Sequence, residues 1–133
     1  RFTAARVDMV QTANVLGYTA ALVAYQEGQE WLEQVLRYLE ANRDFLVDFV
    51  RRELPGVTLA APEATCLAWL DCRGAGAAAA DPYTFFLEKA RVALNDGKTF
   101  GPGGAGFVRL NFGCPRSILT EALDRMRAVL TAA

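Results

Sequence analysis

The residues of this chain best suited to chemistry stand in one run, Phe107-Val108-Arg109-Leu110-Asn111-Phe112, followed by Gly113-Cys114-Pro115-Arg116. Its alternation predicts a strand with Val108, Leu110 and Phe112 on one face and Phe107, Arg109 and Asn111 on the other. A guanidinium in an otherwise apolar strand is costly unless it meets an anion. Its planar fork suits a carboxylate, which it grips through two parallel hydrogen bonds. Arg109 is therefore the candidate binding residue. Read from the strand alone, its anion is either a ligand carboxylate or an Asp or Glu of the same chain, and the internal ion pair is the commoner case.

Other chemistry is thin. The chain has no histidine, which removes Ser-His-Asp and Cys-His nucleophile systems and every zinc site that needs imidazole. Cys66, Cys72 and Cys114 form no CxxC pair; an odd count at wide spacing reads as reduced thiols of a cytosolic protein. Lys89 falls on a helix side that reads as surface, with nothing nearby to desolvate or activate it as a Schiff-base lysine. Glu63 and Asp71 are too far apart in sequence for a paired-carboxylate geometry to be argued. Asp96 and Lys98 flank a turn glycine and read as solvated, and Trp31 and Trp69 read as core. Gly101-Pro102-Gly103-Gly104-Ala105-Gly106 matches GxGxxG. The dinucleotide fingerprint, however, needs a strand before and a helix after. Here a turn precedes and a strand follows, so the segment reads as a mobile connecting loop, with a lid over a neighbouring site as the alternative.

These residues need a scaffold, and 133 residues make one ordinary domain. With 53% hydrophobic and 22% charged residues the composition is that of a folded globular chain. A net charge of −1 with no basic stripe argues against a nucleic-acid partner. The apolar stretch from Val15 to Tyr25 is too short and interrupted to span a bilayer. Residues from about Thr12 to Glu53 read as helix in two pieces jointed at Gly28. The first, Ala13 to Gln26, is apolar nearly all round, as buried helices are. The second is amphipathic, with Leu32, Val35, Leu36, Leu39, Leu46, Phe49 and Val50 on its core face, and Pro55-Gly56 follows its end.

Two extended runs come next, Val57 to Ala61 and Cys66 to Leu70. Asp81-Pro82 caps a helix running to about Ala93, with Tyr83, Phe86, Leu87 and Ala90 inward. Asn95-Asp96-Gly97 is a turn signal. The arginine strand and a last amphipathic helix through Leu130 complete an α/β (α+β) arrangement, a small open sheet of about three strands with helices packed on it and a long helical segment before it. The opening Arg1-Phe2-Thr3, without a methionine, suggests a piece of something longer.

The segments Asn14-Val15-Leu16-Gly17, Glu30-Trp31-Leu32, Ala68-Trp69-Leu70-Asp71-Cys72-Arg73, Val92-Ala93-Leu94-Asn95-Asp96-Gly97, Phe100-Gly101 and the arginine run occur in the order found in a known family. The chain resembles the C-terminal part of pyridoxal-phosphate-dependent class I/II aminotransferases, most nearly their cystathionine β-lyase (C–S lyase) branch. The resemblance covers nearly the whole chain, and the arginine strand with its Cys-Pro-Arg helix start is its most specific part. It departs from the family pattern at Cys66, where a tyrosine is common, and at Ala105, where an acid is common.

The resemblance implies the small domain of a fold-type-I enzyme. Residues 1–28 would be the helix leading from a large domain and residues 29–133 the small domain itself. It implies that Arg109 binds the α-carboxylate of an amino-acid substrate, which reverses the balance struck from the strand alone. The implied activity is β-elimination giving a thiol, pyruvate and ammonia. Transamination is the alternative within the class, and a non-catalytic α/β interaction or sensing domain is the alternative outside it.

The implied cofactor is pyridoxal 5′-phosphate. In the family its lysine, its aspartate partner and its phosphate cradle belong to the large domain. No catalytic, cofactor-binding or metal-binding residue is therefore expected in this chain, and the chain alone is expected to be inactive. A cytoplasmic homodimer is implied as well, without nucleic-acid or membrane partners. The first helix should pack on the large domain, so the chain alone is expected to self-associate through residues 1–50.

Overall fold

A computed structural model describes residues 14–132; the expected helix start at Thr12 or Ala13, and the part of the linker reading that rests on residues 1–13, lie outside the described residues. The chain forms two compact units, one up to Leu36 and one from Arg37 onward.

In the first unit, helix α1 spans Val15–Glu27 and α2 starts at Gln29. Asn14 caps α1, its Oδ1 accepting from the Gly17 amide at 2.8 Å. Gly28 ends the helix, and its amide donates to the Ala24 carbonyl at 3.0 Å. The expectation that α1 is buried does not hold. None of its residues is buried, and Leu16 is 80% exposed. An apolar circumference lowers free energy only where another apolar layer covers it, and the side chains of α1 are left exposed. Trp31, Leu32 and Leu36 are exposed too, so Trp31 is not a core residue. The buried face of α2 (Gln29–Glu53) consists of Asn42, Leu46 and Val50, one residue per turn.

The second unit is a two-layer arrangement around an antiparallel sheet of order β1-β3-β2, formed by β1 (Leu67–Asp71), β2 (Asn95–Asp96) and β3 (Phe107–Asn111). This is the expected small open sheet of three strands, with a different membership. Val57 to Ala61 contributes only a single bridge, Thr58 to Asp71, while Asn95-Asp96, read as a turn, is the third strand. Two residues are too few to show an alternation, and the turn that the sequence announces begins immediately afterwards, where Asp96 caps a 3₁₀ turn over Gly97–Phe100. Among the described residues the helices cover one face only. Ala68, Leu70, Val108, Leu110 and Phe112 of the sheet pack with Leu46 and Val50 of α2, with Phe86, and with Leu119, Leu123 and Met126 of α4 (Arg116–Thr131).

Between β1 and β2 the chain forms α3 (Pro82–Phe85), continued by a π turn over Phe86–Ala90. Asp81 caps it as expected, accepting from the Thr84 hydroxyl at 3.0 Å. It ends before Ala93 because Arg91 adopts a left-handed conformation, φ 57°. The wider turn also changes the helical phase. Phe86 and Ala90 point inward, but Leu87 is turned to solvent.

The glycine segment is packed against the sheet connection. Pro102–Gly104 forms a 3₁₀ turn. A Cβ on Gly104 would lie 1.9 Å from the Gly97 carbonyl oxygen, and one on Gly97 would lie 2.3 Å from that of Gly104. Only glycine permits two backbones to approach this closely.

The corner between β3 and α4 is anchored by α2. Buried Asn42 donates to the carbonyls of Phe112 (3.0 Å) and Cys114 (2.9 Å) and accepts from Arg116 Nε at 2.7 Å. One turn earlier, the Tyr38 hydroxyl accepts from the Arg116 amide at 2.6 Å, doing the work of a side-chain cap that Pro115 cannot supply. The Arg116 guanidinium lies over the Phe45 ring at 4.4 Å. Positions 38, 42 and 45 share one helical face.

Two predictions follow from this packing. Asn42→Ala strands one buried and two part-buried polar groups and should cost about 2–3 kcal/mol in chemical denaturation; a loss under about 0.5 kcal/mol would contradict the anchoring role. The Cys72 thiol is fully buried, and burial pushes its pKa up to about 12. Cys72 should therefore resist iodoacetamide at pH 8 in the folded protein and react on unfolding, as peptide mapping would show. Equal rates in both states would contradict the burial.

Candidate functional site

The strand alternation places Arg109 as expected. Val108, Leu110 and Phe112 are buried, and Phe107, Arg109 and Asn111 occupy the opposite face, which no helix covers among the described residues. Arg109 stands at the centre of β3, between Trp69 of β1 and Asn95 of β2. Around it the outer face is aromatic. Trp69 stacks on Phe107 with centroids 5.5 Å apart and meets Phe100 edge-on at 5.5 Å. The Arg109 guanidinium lies over the Phe100 ring at 4.7 Å, a favourable cation–π placement. Trp69, expected in the core, is 37% exposed; it is part of this platform.

Half of the ten described arginines are ion-paired, and Arg109, like Arg37, Arg51, Arg91 and Arg116, is not. Among the described residues no carboxylate lies within ion-pairing distance of it, whereas Arg43, Arg52, Arg73, Arg125 and Arg127 each have one. Arg73 shows the contrast on the same face. Its guanidinium lies over Phe107 at 4.8 Å, and Asp71 accepts from its Nε and Nη2 at 2.9 and 2.6 Å. That pairing holds the Asp71 carboxyl below its ordinary pKa. Asp71 is thus committed to Arg73, while Glu63 borders a separate cleft with Arg43 and Asp48; the two acids do not form a catalytic pair. Among the described residues the Arg109 side chain donates to one oxygen, the neutral Asn95 Oδ1, from Nε at 3.3 Å and Nη2 at 3.0 Å.

Arg109 and Asn95 line a cleft of about 510 Å³ that is also bordered by Arg91, Leu94, Ile118 and Arg125. Such a site can bind an anion. Two groups on its lining could move a proton: the Glu121 carboxylate, which is ion-paired with Arg125, and the Cys114 thiol. The Cys72 thiol is buried and held protonated, and burial also raises the pKa of Cys114. Reading the sequence missed Asn95, Phe100 and the platform role of Trp69. Trp69 and Asn95 reach Arg109 through strand pairing, and Phe100 through the 3₁₀ turn that follows β2, so none is indicated by proximity in the chain.

The described residues do not fit the cofactor that the resemblance implies. Lys89 is exposed on the π turn. Lys98 is half exposed, with Nζ 3.5 Å from Asp81 Oδ1; that contact also engages a residue expected to be solvated. Neither lysine lines the cleft beside Arg109. No chemical step is therefore assigned to this chain's side chains.

Comparison with known proteins gives a consistent picture. The profile of the family "Aminotransferase class I and II" matches residues 9–126. The cystathionine beta-lyase PatB of Bacillus subtilis is 38% identical over 118 residues, covering 89% of this chain and 30% of that protein. The solved structure of OvoB is 48% identical with a TM-score of 0.89, covering 99% of this chain and 33% of that one. The PLP-bound C-S lyase of Staphylococcus hominis, complexed with L-cycloserine, is 30% identical with a TM-score of 0.83, covering 96% of this chain and 32% of that one. The chain thus spans about a third of the length of the curated relatives it matches. With the three-stranded sheet, its arginine strand and a family match over most of the sequence in agreement, the chain belongs to the class I and II aminotransferase family.

Proposed function

We propose that this chain is the substrate-anchoring small domain of a pyridoxal-phosphate-dependent C–S lyase of the cystathionine β-lyase type. The observation that carries the reading is an arginine at the centre of an open sheet face, beside a cleft, with a neutral partner in place of a carboxylate. Its charge is available to an incoming acid, and two parallel charge-assisted hydrogen bonds would fix an amino acid by its α-carboxylate. Holding the substrate at that end limits its rotation relative to the reacting bonds. Pyridoxal phosphate, held by residues outside those described, supplies the electron sink. The balanced reaction consumes an S-substituted cysteine and water and yields a thiol, pyruvate and ammonia.

Lyase activity is favoured over transamination by the likeness to the cystathionine beta-lyase PatB and to the C-S lyase of Staphylococcus hominis, 38% and 30% identical to this chain. The exposed apolar side chains of α1 are the surface that a larger enzyme would cover, with its remaining domain or a second subunit of a homodimer. Three free cysteines suit a reducing, cytoplasmic setting. Among the described residues no helix is long and apolar enough to cross a membrane.

The test is steady-state kinetics of the full-length holoenzyme with L-cystathionine, following pyruvate and, with a keto-acid acceptor, amino-acid product separately. Pyruvate release without amino transfer is expected; the reverse would assign transamination, and neither would support the non-catalytic domain. Arg109→Ala should weaken amino-acid binding by about 2–4 kcal/mol, and Arg109→Lys should restore only part of the loss because an ammonium lacks the fork. Unchanged constants in Arg109→Ala would overturn the assignment.

A further inference from the structure

We infer that Asn95 is a positioning residue for Arg109: it occupies one edge of the guanidinium with an uncharged oxygen and leaves the opposite fork, with its full charge, to the ligand. The inference rests on the reading of Arg109 as the carboxylate anchor. A guanidinium has two forks, one formed by Nε and Nη2 and one by Nη1 and Nη2. Asn95 Oδ1 accepts from both nitrogens of the first fork, at 3.3 and 3.0 Å. Phe100 lies against the plane of the group. The remaining fork, Nη1 with Nη2, is the one left to form a bidentate pair with a carboxylate.

Strand parity makes the choice of an amide instructive. Asn95 pairs with Arg109 and Asp96 pairs with Val108, so the two neighbours point to opposite faces. The carboxylate of Asp96 is turned away and used locally, accepting from the Lys98 amide at 3.0 Å. A register shift of one residue would put that acid beside Arg109 and compensate its charge. Arg73, whose edge is closed by Asp71 in the same side-on manner, shows what a carboxylate at that edge does. Asn95 is therefore the point at which the sheet keeps Arg109 oriented without neutralising it.

The test compares Asn95→Asp and Asn95→Ala with the parent holoenzyme. It reads KM and kcat for L-cystathionine, together with the competitive inhibition constant of 3-(methylthio)propionate, a carboxylate without an amine and therefore unable to react with the cofactor. Asn95→Asp is nearly isosteric and should raise KM and the inhibition constant together by about 100-fold, with the loss carried by KM. Asn95→Ala frees the side-on fork without adding charge and should raise both by about 10-fold or less. A residue that only packs would give the opposite order, with alanine worse than aspartate, and that order would overturn the inference. So would equal values in both variants and the parent. Arg109→Ala, measured alongside, separates the two levels. If it raises both constants while Asn95→Asp does not, only the role of Asn95 falls; if it leaves them unchanged, the carboxylate anchor falls and Asn95 with it.

Discussion

The site depends on strand parity. In β3, side chains alternate between a face packed under helices and a face left open, so the residues that build the core fix where the intervening ones point. Val108, Leu110 and Phe112 are driven inward by burial of apolar surface, and Arg109 is thereby held outward at the centre of the sheet. The same rule acts on β2, where it sends an amide and not the adjacent carboxylate to the neighbouring position. Electrostatic availability at Arg109 is thus a consequence of register, and register is set by the core.

The rest of the second unit keeps that arrangement from slipping. Asn42, Tyr38 and Phe45 on one face of α2 hold the corner immediately after β3. At the other end of the strand, the close approach of the Gly97 and Gly104 backbones fixes the connection that brings Phe100 under the guanidinium. Both devices replace conformational freedom with polar or steric contacts that one side chain or one Cβ would break. The segment that looks most like a nucleotide loop is in fact part of the packing beside Arg109.

Much of this was legible in the residues, and the exceptions have physical causes. The helix joint at Gly28, the Asp81 cap, the faces of β3 and the position of Arg109 all follow from patterns local to the chain. The exposure of α1 does not, because an apolar helix states what it would bury against and not whether that surface is present. Val57 to Ala61 has the composition of a strand but makes a single bridge with β1. Asn95-Asp96 has the composition of a turn but is a strand, because pairing with β3 outweighs a propensity of two residues. The phase change at Leu87 came from a π turn, which no simple period reveals. In the site, Arg109 could be singled out by its cost in an apolar strand, but the identity of its partner could not. Asn95 lies 14 positions away, and only the three-dimensional register shows that this partner is neutral.

Around Arg109 the chain offers an oriented cation, an aromatic floor and a cleft. The central claim is that the open fork of Arg109 receives the acid end of an amino acid. It is tested most directly by a crystal structure of the full-length holoenzyme with an unreactive amino-acid inhibitor. The account predicts both oxygens of the inhibitor's α-carboxylate at about 2.8 Å from Nη1 and Nη2 of Arg109, with Asn95 still on the other edge. A carboxylate bound elsewhere, with an Asp or Glu from another part of the enzyme on that fork, would contradict it.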